Sequence, residues 1–318
     1  MTRIALAQPR LTLVAVAVVL AIAASAYDAG GTRLGLATLV GVLAGFGLYH
    51  AAFGFTAGWR RFIRERRGAG LRAQLILIGV TAVLALPIIA YGDVFGIRAG
   101  GFVFPFGVAV IVGAFLFGLG MQLGGGCGSG TLFTVGGGST RMVITLAFFI
   151  LGGLLATYHW SFWMALPKLG ALSFAATPLG PPGAIVLTVL LLWLIGRAVS
   201  LSEVAHHGTL EPRRPMGALL TGSWNYAAGI VALTVVGVLT LVILGRPWGI
   251  TSGLTLWGAQ LAHLVGVPIA EWGYWRYAMG SVEASIFSSG TSVMNLGLIA
   301  GAALAACLAG RYAPKFNL

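Results

Sequence analysis

The sequence predicts an all-α, polytopic helical membrane protein, and three observations predict it. Hydrophobic residues make up 58% of the 318 and charged residues only 8%, with a mean hydropathy of +0.96. A soluble domain carries about 25% charged residues, so this chain has too few to cover a surface in water. Apolar runs close to the ~20 residues that cross a bilayer as a helix recur along its length. Glycine supplies 49 residues, about double the usual share of ~7%, which points to close helix packing, broken helices, or both. A soluble enzyme, a nucleic-acid-binding module and a disordered chain are excluded together. The partner this surface requires is a lipid bilayer.

Eight full spans are expected. The first, 11–27, follows Arg3 and Arg10 and ends at Ala24-Ser25-Ala26. That mimics a signal peptide with its small-residue cleavage site, and it reads as an uncleaved span. The second and third, 33–58 and 71–91, flank a loop holding Arg60, Arg61, Arg64, Arg66, Arg67 and Arg72. The fourth and fifth are 102–123 and 141–163, and the last three are 182–201, 226–245 and 291–310. Two more apolar stretches, 124–140 and 248–267, read as re-entrant, broken helices. Such backbone is tolerated at membrane depth only where protein or a wet cavity covers it.

The net charge of +12 tests this count. Eight spans place Arg3, Arg10, Arg141, Arg197, Arg213, Arg214, Arg311 and Lys315 on the side of the Arg60–Arg72 loop. Arg33, Arg98, Lys168, Arg246 and Arg276 fall on the other. The basic side is expected to be cytoplasmic, with both termini on it. Gly138-Ser-Thr-Arg-Met-Val143 and Gly290-Thr-Ser-Val-Met-Asn295 each open a span, from opposite sides. That is the pattern of an inverted repeat. The expected organisation is one transmembrane domain over 1–318 with pseudo-symmetric inverted halves, roughly 30–165 and 180–311.

The segment with most chemical character is Phe117 to Thr131, FGLGMQLGGGCGSGT. Gly124, Gly125 and Gly126 break a helix, and Gly128-Ser129-Gly130-Thr131 restarts one. A helix beginning there directs free N–H groups and its positive dipole end into the break. That makes an anion site without a charged side chain. Ser129 and Thr131 add hydroxyl donors, and Cys127 adds a soft, polarisable thiol. Cys307, in an unbroken apolar helix, reads as packing. The two cysteines cannot form a disulfide framework. A second candidate is Arg246-Pro-Trp-Gly-Ile-Thr-Ser-Gly253, where Thr251, Ser252 and Gly253 could open another half-helix behind Arg246. Ser289 and Gly290, before the last span, read the same way. No histidine pair has metal-ligand spacing, so no metal and no cofactor are expected. Gly136-Gly-Gly-Ser-Thr140 lacks the lysine of a P-loop.

The stretch Phe115, Phe117, Gly118, Gly120, Leu123, Gly125, Gly126, Cys127, Ser129, Gly130, Thr131 resembles the YeeE/YedE family of bacterial sulfur-compound transporters. Gly124 stands where that family has Ala. Arg246-Pro-Trp-Gly-Ile-Thr251 is similar to a second family segment, and Phe53 to Arg60 to a third, with Gly54 at its cysteine position. The family's further Gly-rich cysteine segment is not found before Leu318. The resemblance implies an hourglass-like helical protein of the bacterial inner membrane and uptake of a small inorganic sulfur anion, thiosulfate. It implies a passage in which cysteine thiols hydrogen-bond the anion; here that falls to Cys127, with Arg60 a candidate pathway residue. Two alternatives stand beside it. One is a membrane sulfurtransferase carrying a persulfide on Cys127. The other is a docking partner for a small cytoplasmic sulfur-carrier protein, at the Arg60–Arg72 loop.

Overall fold

Proline suits the first turn of a helix because its missing N–H would be unpaired there anyway. Pro9 accordingly opens α1 (Pro9–Ala51), and Gly30-Gly31 turn that helix back on itself. Gly31 sits at φ 64, a left-handed conformation that only glycine adopts readily. A Cβ on Gly35 would lie 3.6 Å from Tyr27 and 3.8 Å from the carbonyl oxygen of Ala23. In a straight helix residues 23 and 35 would stand ~18 Å apart. The two arms therefore form a hairpin and supply the first two expected spans. The second arm ends at Ala51, not at residue 58, because Ala52 takes a left-handed conformation. Beyond it α2 (Phe55–Glu65) sets Phe55, Trp59 and Ile63 beside Arg60, Arg61 and Arg64, the composition of an interfacial helix. This computed structural model describes residues 8–173 and 176–314. Arg3 and Lys315, used above for topology, lie outside the described residues.

The chain continues through α3 (Ala69–Tyr91), β1 (Pro105–Gly107) and α4 (Val108–Gly124). Residues 102–107, expected to begin the fourth span, are not helical, and 105–107 form β1 instead. Pro105 pairs across to Ala171 of β2 (Lys168–Ala171), antiparallel. These two short strands correct the all-α expectation to a predominantly helical fold. Next come α5 (Gly128–Gly136), α6 (Thr140–Tyr158) and α7 (Trp160–Ala165), the expected fifth span dividing at His159. The remainder is α8 (Gly180–His207), α9 (Tyr226–Leu244), α10 (Ile250–Leu264), α11 (Met279–Glu283) and α12 (Gly290–Leu308).

Among the described residues seven helical segments are long and apolar enough to cross a membrane, with the α1 hairpin counted as one. Their outward faces are apolar, with Phe115 on α4 67% exposed and Trp193 on α8 59%. Water does not tolerate so continuous an apolar surface. The chain is a multi-pass membrane protein.

Helix α12 is the axis, with Val293, Met294, Asn295, Leu298 and Ala302 fully buried. It lies along the second arm of α1, and both helices carry a Gly-x-x-x-Gly pair. A Cβ on Gly41 or Gly45 would strike the carbonyl oxygens of Met294 or Leu298. One on Gly297 or Gly301 would strike those of Thr38 or Val42. Small residues at this spacing let two backbones touch, which is how helices associate without a hydrophobic drive between them.

Two ends can be told apart. At the basic end, Gln8 donates to the Tyr312 carbonyl (3.0 Å) and Trp224 N to that of His50 (2.8 Å). Buried Glu203 there accepts from Arg67, Arg72 and the N–H groups of Gly68 and Glu211. At the strand end, Gly100 N donates to Gly245 O (2.9 Å), and Arg33 caps the carbonyls of Ile243 and Leu244.

Candidate functional site

Helix α4 runs from the strands toward the basic end and stops where Gly125 turns left-handed at φ 81. The last carbonyls of a helix need partners. Arg60 supplies one, donating to Gln122 O at 2.8 Å and to Gln122 Oε1 at 3.2 Å. A cation at that position also complements the negative end of the helix dipole. The glycine-rich run thus ends one helix and frees the backbone to begin another.

That next helix, α5, starts from Cys127 in extended conformation, with no side chain capping its first turn. Thr131 N already bonds Cys127 O at 2.8 Å, which leaves the N–H groups of Gly128, Ser129 and Gly130 facing the break. The Cys127 thiol is half-buried and lies 3.5 Å from Ser129 Oγ. A Cβ on Gly130 would press on the sulfur at 3.3 Å. Gly126 is buried against Thr131, whose amide and hydroxyl stand 3.0 and 3.1 Å from where a Cβ would be. Thr131 is fully buried and its hydroxyl has no hydrogen-bond partner among the described residues. Arg141 reaches back from the start of α6, its guanidinium 4.0 Å from the Cβ position of Gly125.

Helix α10 meets this point from the strand end. It begins at Gly249, also without a side-chain cap. A Cβ on Gly128 would lie 3.2 Å from Ile250 and 3.8 Å from Thr251 Oγ1. The first turns of α5 and α10 therefore converge, although their cores lie more than a hundred residues apart. Asn295 fixes the second turn in place, donating to Ile250 O (3.0 Å) and accepting from Trp248 Nε1 (3.1 Å). Gly253 is required there, because a Cβ would come within 2.7 Å of Asn295 Nδ2.

The remaining predicted residues line a cavity of about 470 Å³ at the strand end, walled by Arg246, Ser252, Gly253, Ser289, Gly290 and Thr291. Ser289 caps α12 by accepting from Ser292 N. Ser252 donates to Gly249 O at 2.7 Å. Cys127 does not line this cavity; Gly126 lines a separate one of about 410 Å³ with Met121, Thr145 and Phe149. The structure thus brings the two predicted segments together at Gly128 and Thr251, and sets Arg60 at the end of α4 instead. Cys307 is buried on α12, 2% exposed. Sequence reasoning missed the bridging role of Asn295 and Trp248. The signal available was a lone amide in an otherwise small and apolar span.

A sequence profile of the family described as sulphur transport matches residues 50–317. A protein of Escherichia coli (strain K12) named "Probable transporter YedE" is 32% identical over 89 residues, 28% of this chain and 22% of that protein. Its namesake from Salmonella typhimurium (strain LT2) is 30% identical over 83 residues, 26% of this chain and 20% of that protein. The chain thus covers about a fifth of the length of these curated relatives. Both relatives are named as transporters, not as enzymes.

Proposed function

The chain belongs to the YeeE/YedE sulphur-transport family, and we propose that it takes up a small sulfur-containing anion, thiosulfate, across the bacterial inner membrane. The observation that carries this is the convergence of the uncapped first turns of α5 and α10 around Gly128 and Thr251. A dianion in hydrocarbon is prohibitively costly unless fixed dipoles replace its water. Two half-helix N-termini aimed at one point do that. The ligand positions would be the backbone from Gly125 to Thr131, the Cys127 thiol, and Thr251, Ser252 and Gly253. Arg246, Ser289 and Gly290 would draw the anion in from the strand end. A thiol is a weak, soft partner, and a weak site lets the anion leave as well as enter.

In this reading α5 and α10 are re-entrant half-helices that enter from opposite sides, and the basic end is cytoplasmic together with both termini. The halves 30–165 and 180–311 are then inverted repeats in a single transport domain. The chain directions support it. α4 ends beside Arg60 at the basic end, whereas α9 ends beside Arg98 at the strand end. α6 begins beside the end of α12: a Cβ on Gly138 would lie 3.5 Å from Tyr312. Released anion would reach any cytoplasmic sulfur carrier at the Arg60–Arg72 loop.

The test is radiolabelled thiosulfate uptake into proteoliposomes, wild type against Cys127→Ala. Uptake by the wild type that vanishes in a normally inserted variant is the expected result. Equal uptake by both would remove the thiol from the mechanism. Mass spectrometry after thiosulfate exposure is expected to find Cys127 unmodified; a persulfide adduct would favour a sulfurtransferase.

A further inference from the structure

The groove between α3 and α8 is not used by the transport route. It has a volume of about 530 Å³ and an almost wholly apolar lining, with Arg72, Arg197 and Ser200 at one end. The two helices run antiparallel: a Cβ on Gly196 would meet Leu75 at 3.8 Å, and one on Gly79 would meet Leu192 at 3.5 Å. Gly79 and Gly196 thus floor the groove by leaving side chains out. Val80, Val83, Val189 and Trp193 form its walls and are exposed.

We propose that this groove binds an anionic phospholipid of the leaflet at the basic end. Length is the first argument. From Arg72 to Leu84 the groove follows α3 for about 18 Å, close to the ~15 Å depth of one leaflet's hydrocarbon. Its polar end therefore lies at headgroup depth and its blind end near the bilayer centre.

Charge is the second argument. Arg197 is exposed and has neither a hydrogen bond nor an ion pair among the described residues. Arg72 shares the Glu203 carboxylate with Arg67. One carboxylate against three guanidinium groups leaves the mouth net positive, and Ser200 adds a hydroxyl beside it. A phosphate with no compensating ammonium suits that mouth, and basic pockets between transmembrane helices bind such headgroups. Arg197 has the reach to meet it, because long basic side chains extend along the helix toward the interface.

The experiment is native mass spectrometry of the full chain purified in detergent and equilibrated with equimolar phosphatidylglycerol and phosphatidylcholine. The wild type is expected to retain phosphatidylglycerol preferentially. Arg197→Gln should lower that retention about fivefold, the usual worth of one basic residue at an anionic surface. Gly79→Leu should expel the lipid by filling the groove, while thiosulfate transport persists. A Cβ at Gly79 meets only Leu192, and at ordinary contact distance, so the position admits the start of a side chain, and an unchanged thermal midpoint of the variant shows that the packing is kept. Equal retention of the two lipids, or undiminished phosphatidylglycerol on Arg197→Gln, would overturn the assignment. A lipid-free dimer that Gly79→Leu dissociates would place a second copy of the chain in the groove and overturn it equally.

Discussion

Two regions rich in glycine touch α12, and they use glycine in opposite ways. Along the seam between α1 and α12, Gly41, Gly45, Gly297 and Gly301 sit inside regular helix, and their missing side chains let backbone meet backbone. No polar group is released there, because every helix stays intact. At the junction of α5 and α10 the glycines interrupt helices, and two uncapped first turns come together at Gly128 and Thr251. The seam excludes anything larger than a hydrogen atom; the junction leaves helix N–H groups without a side-chain cap. Glycine content alone does not separate these uses. What separates them is the neighbour: four residues to the next glycine and an apolar run between in one case, consecutive glycines with Ser, Thr and Cys in the other.

The largest effect is expected at the seam. Gly45→Val would drive a side chain into the carbonyl of Leu298 and the amide of Ala302, both backbone atoms that cannot yield. Overpacking against backbone belongs with the severe substitutions, about 4 kcal/mol or more. The folded, monodisperse fraction in detergent should collapse. Gly118→Val is the matched control, since a Cβ at Gly118 meets nothing within 4 Å. Its profile should stay within about 0.5 kcal/mol of wild type, as other open surface changes do. Two identical chromatograms would break the contrast between packed and unpacked glycines.

How far the sequence foretold each region follows from the same difference. The spans were legible because hydropathy is a local property, and the break at Gly124–Gly126 because consecutive glycines are local too. The pairing of the seam was not. The spacing of Gly41 and Gly45 is visible, yet nothing near it says that Gly297 and Gly301 lie opposite, some 250 residues later. The strands β1 and β2 escaped for a similar reason, being three and four residues long and set far apart. The end of the second span was misplaced because Phe53 and Phe55 keep hydropathy high after Ala52 has already turned the chain. The two half-helix starts were legible as glycine-broken, hydroxyl-bearing segments; that α5 meets α10, and that an Asn295 bridge fixes one of them, required coordinates.

A middle-sized effect should link the two regions through α12. Asn295→Leu removes both bonds to the α10 turn, leaving Trp248 Nε1 without its acceptor, while Ile250 O, at the start of α10, keeps its bond within the helix. A stranded, largely buried donor costs about 1–3 kcal/mol. The thermal midpoint should fall, and uptake should fall further, because the first turn of α10 loses its position. A variant that loses stability and keeps full uptake would show that Asn295 serves packing alone.

The smallest effect separates ligand binding from packing most cleanly. Thr131 is fully buried beside the Gly126 backbone, with a hydroxyl that no neighbour among the described residues bonds. If the hydroxyl were there for stability, it would have a partner. Thr131→Val keeps the branched shape and deletes the polar atom. Deleting an unpaired buried hydroxyl should leave the thermal midpoint unchanged or raise it, since that group's desolvation is uncompensated, a penalty of about 1–3 kcal/mol. The half-saturating thiosulfate concentration should rise about tenfold, the loss of one hydrogen bond to a charged ligand. The two readouts move in opposite senses only if the hydroxyl meets the anion. A lowered midpoint with unchanged half-saturation would assign Thr131 to the fold, and the junction would then hold its ligand by backbone and thiol alone.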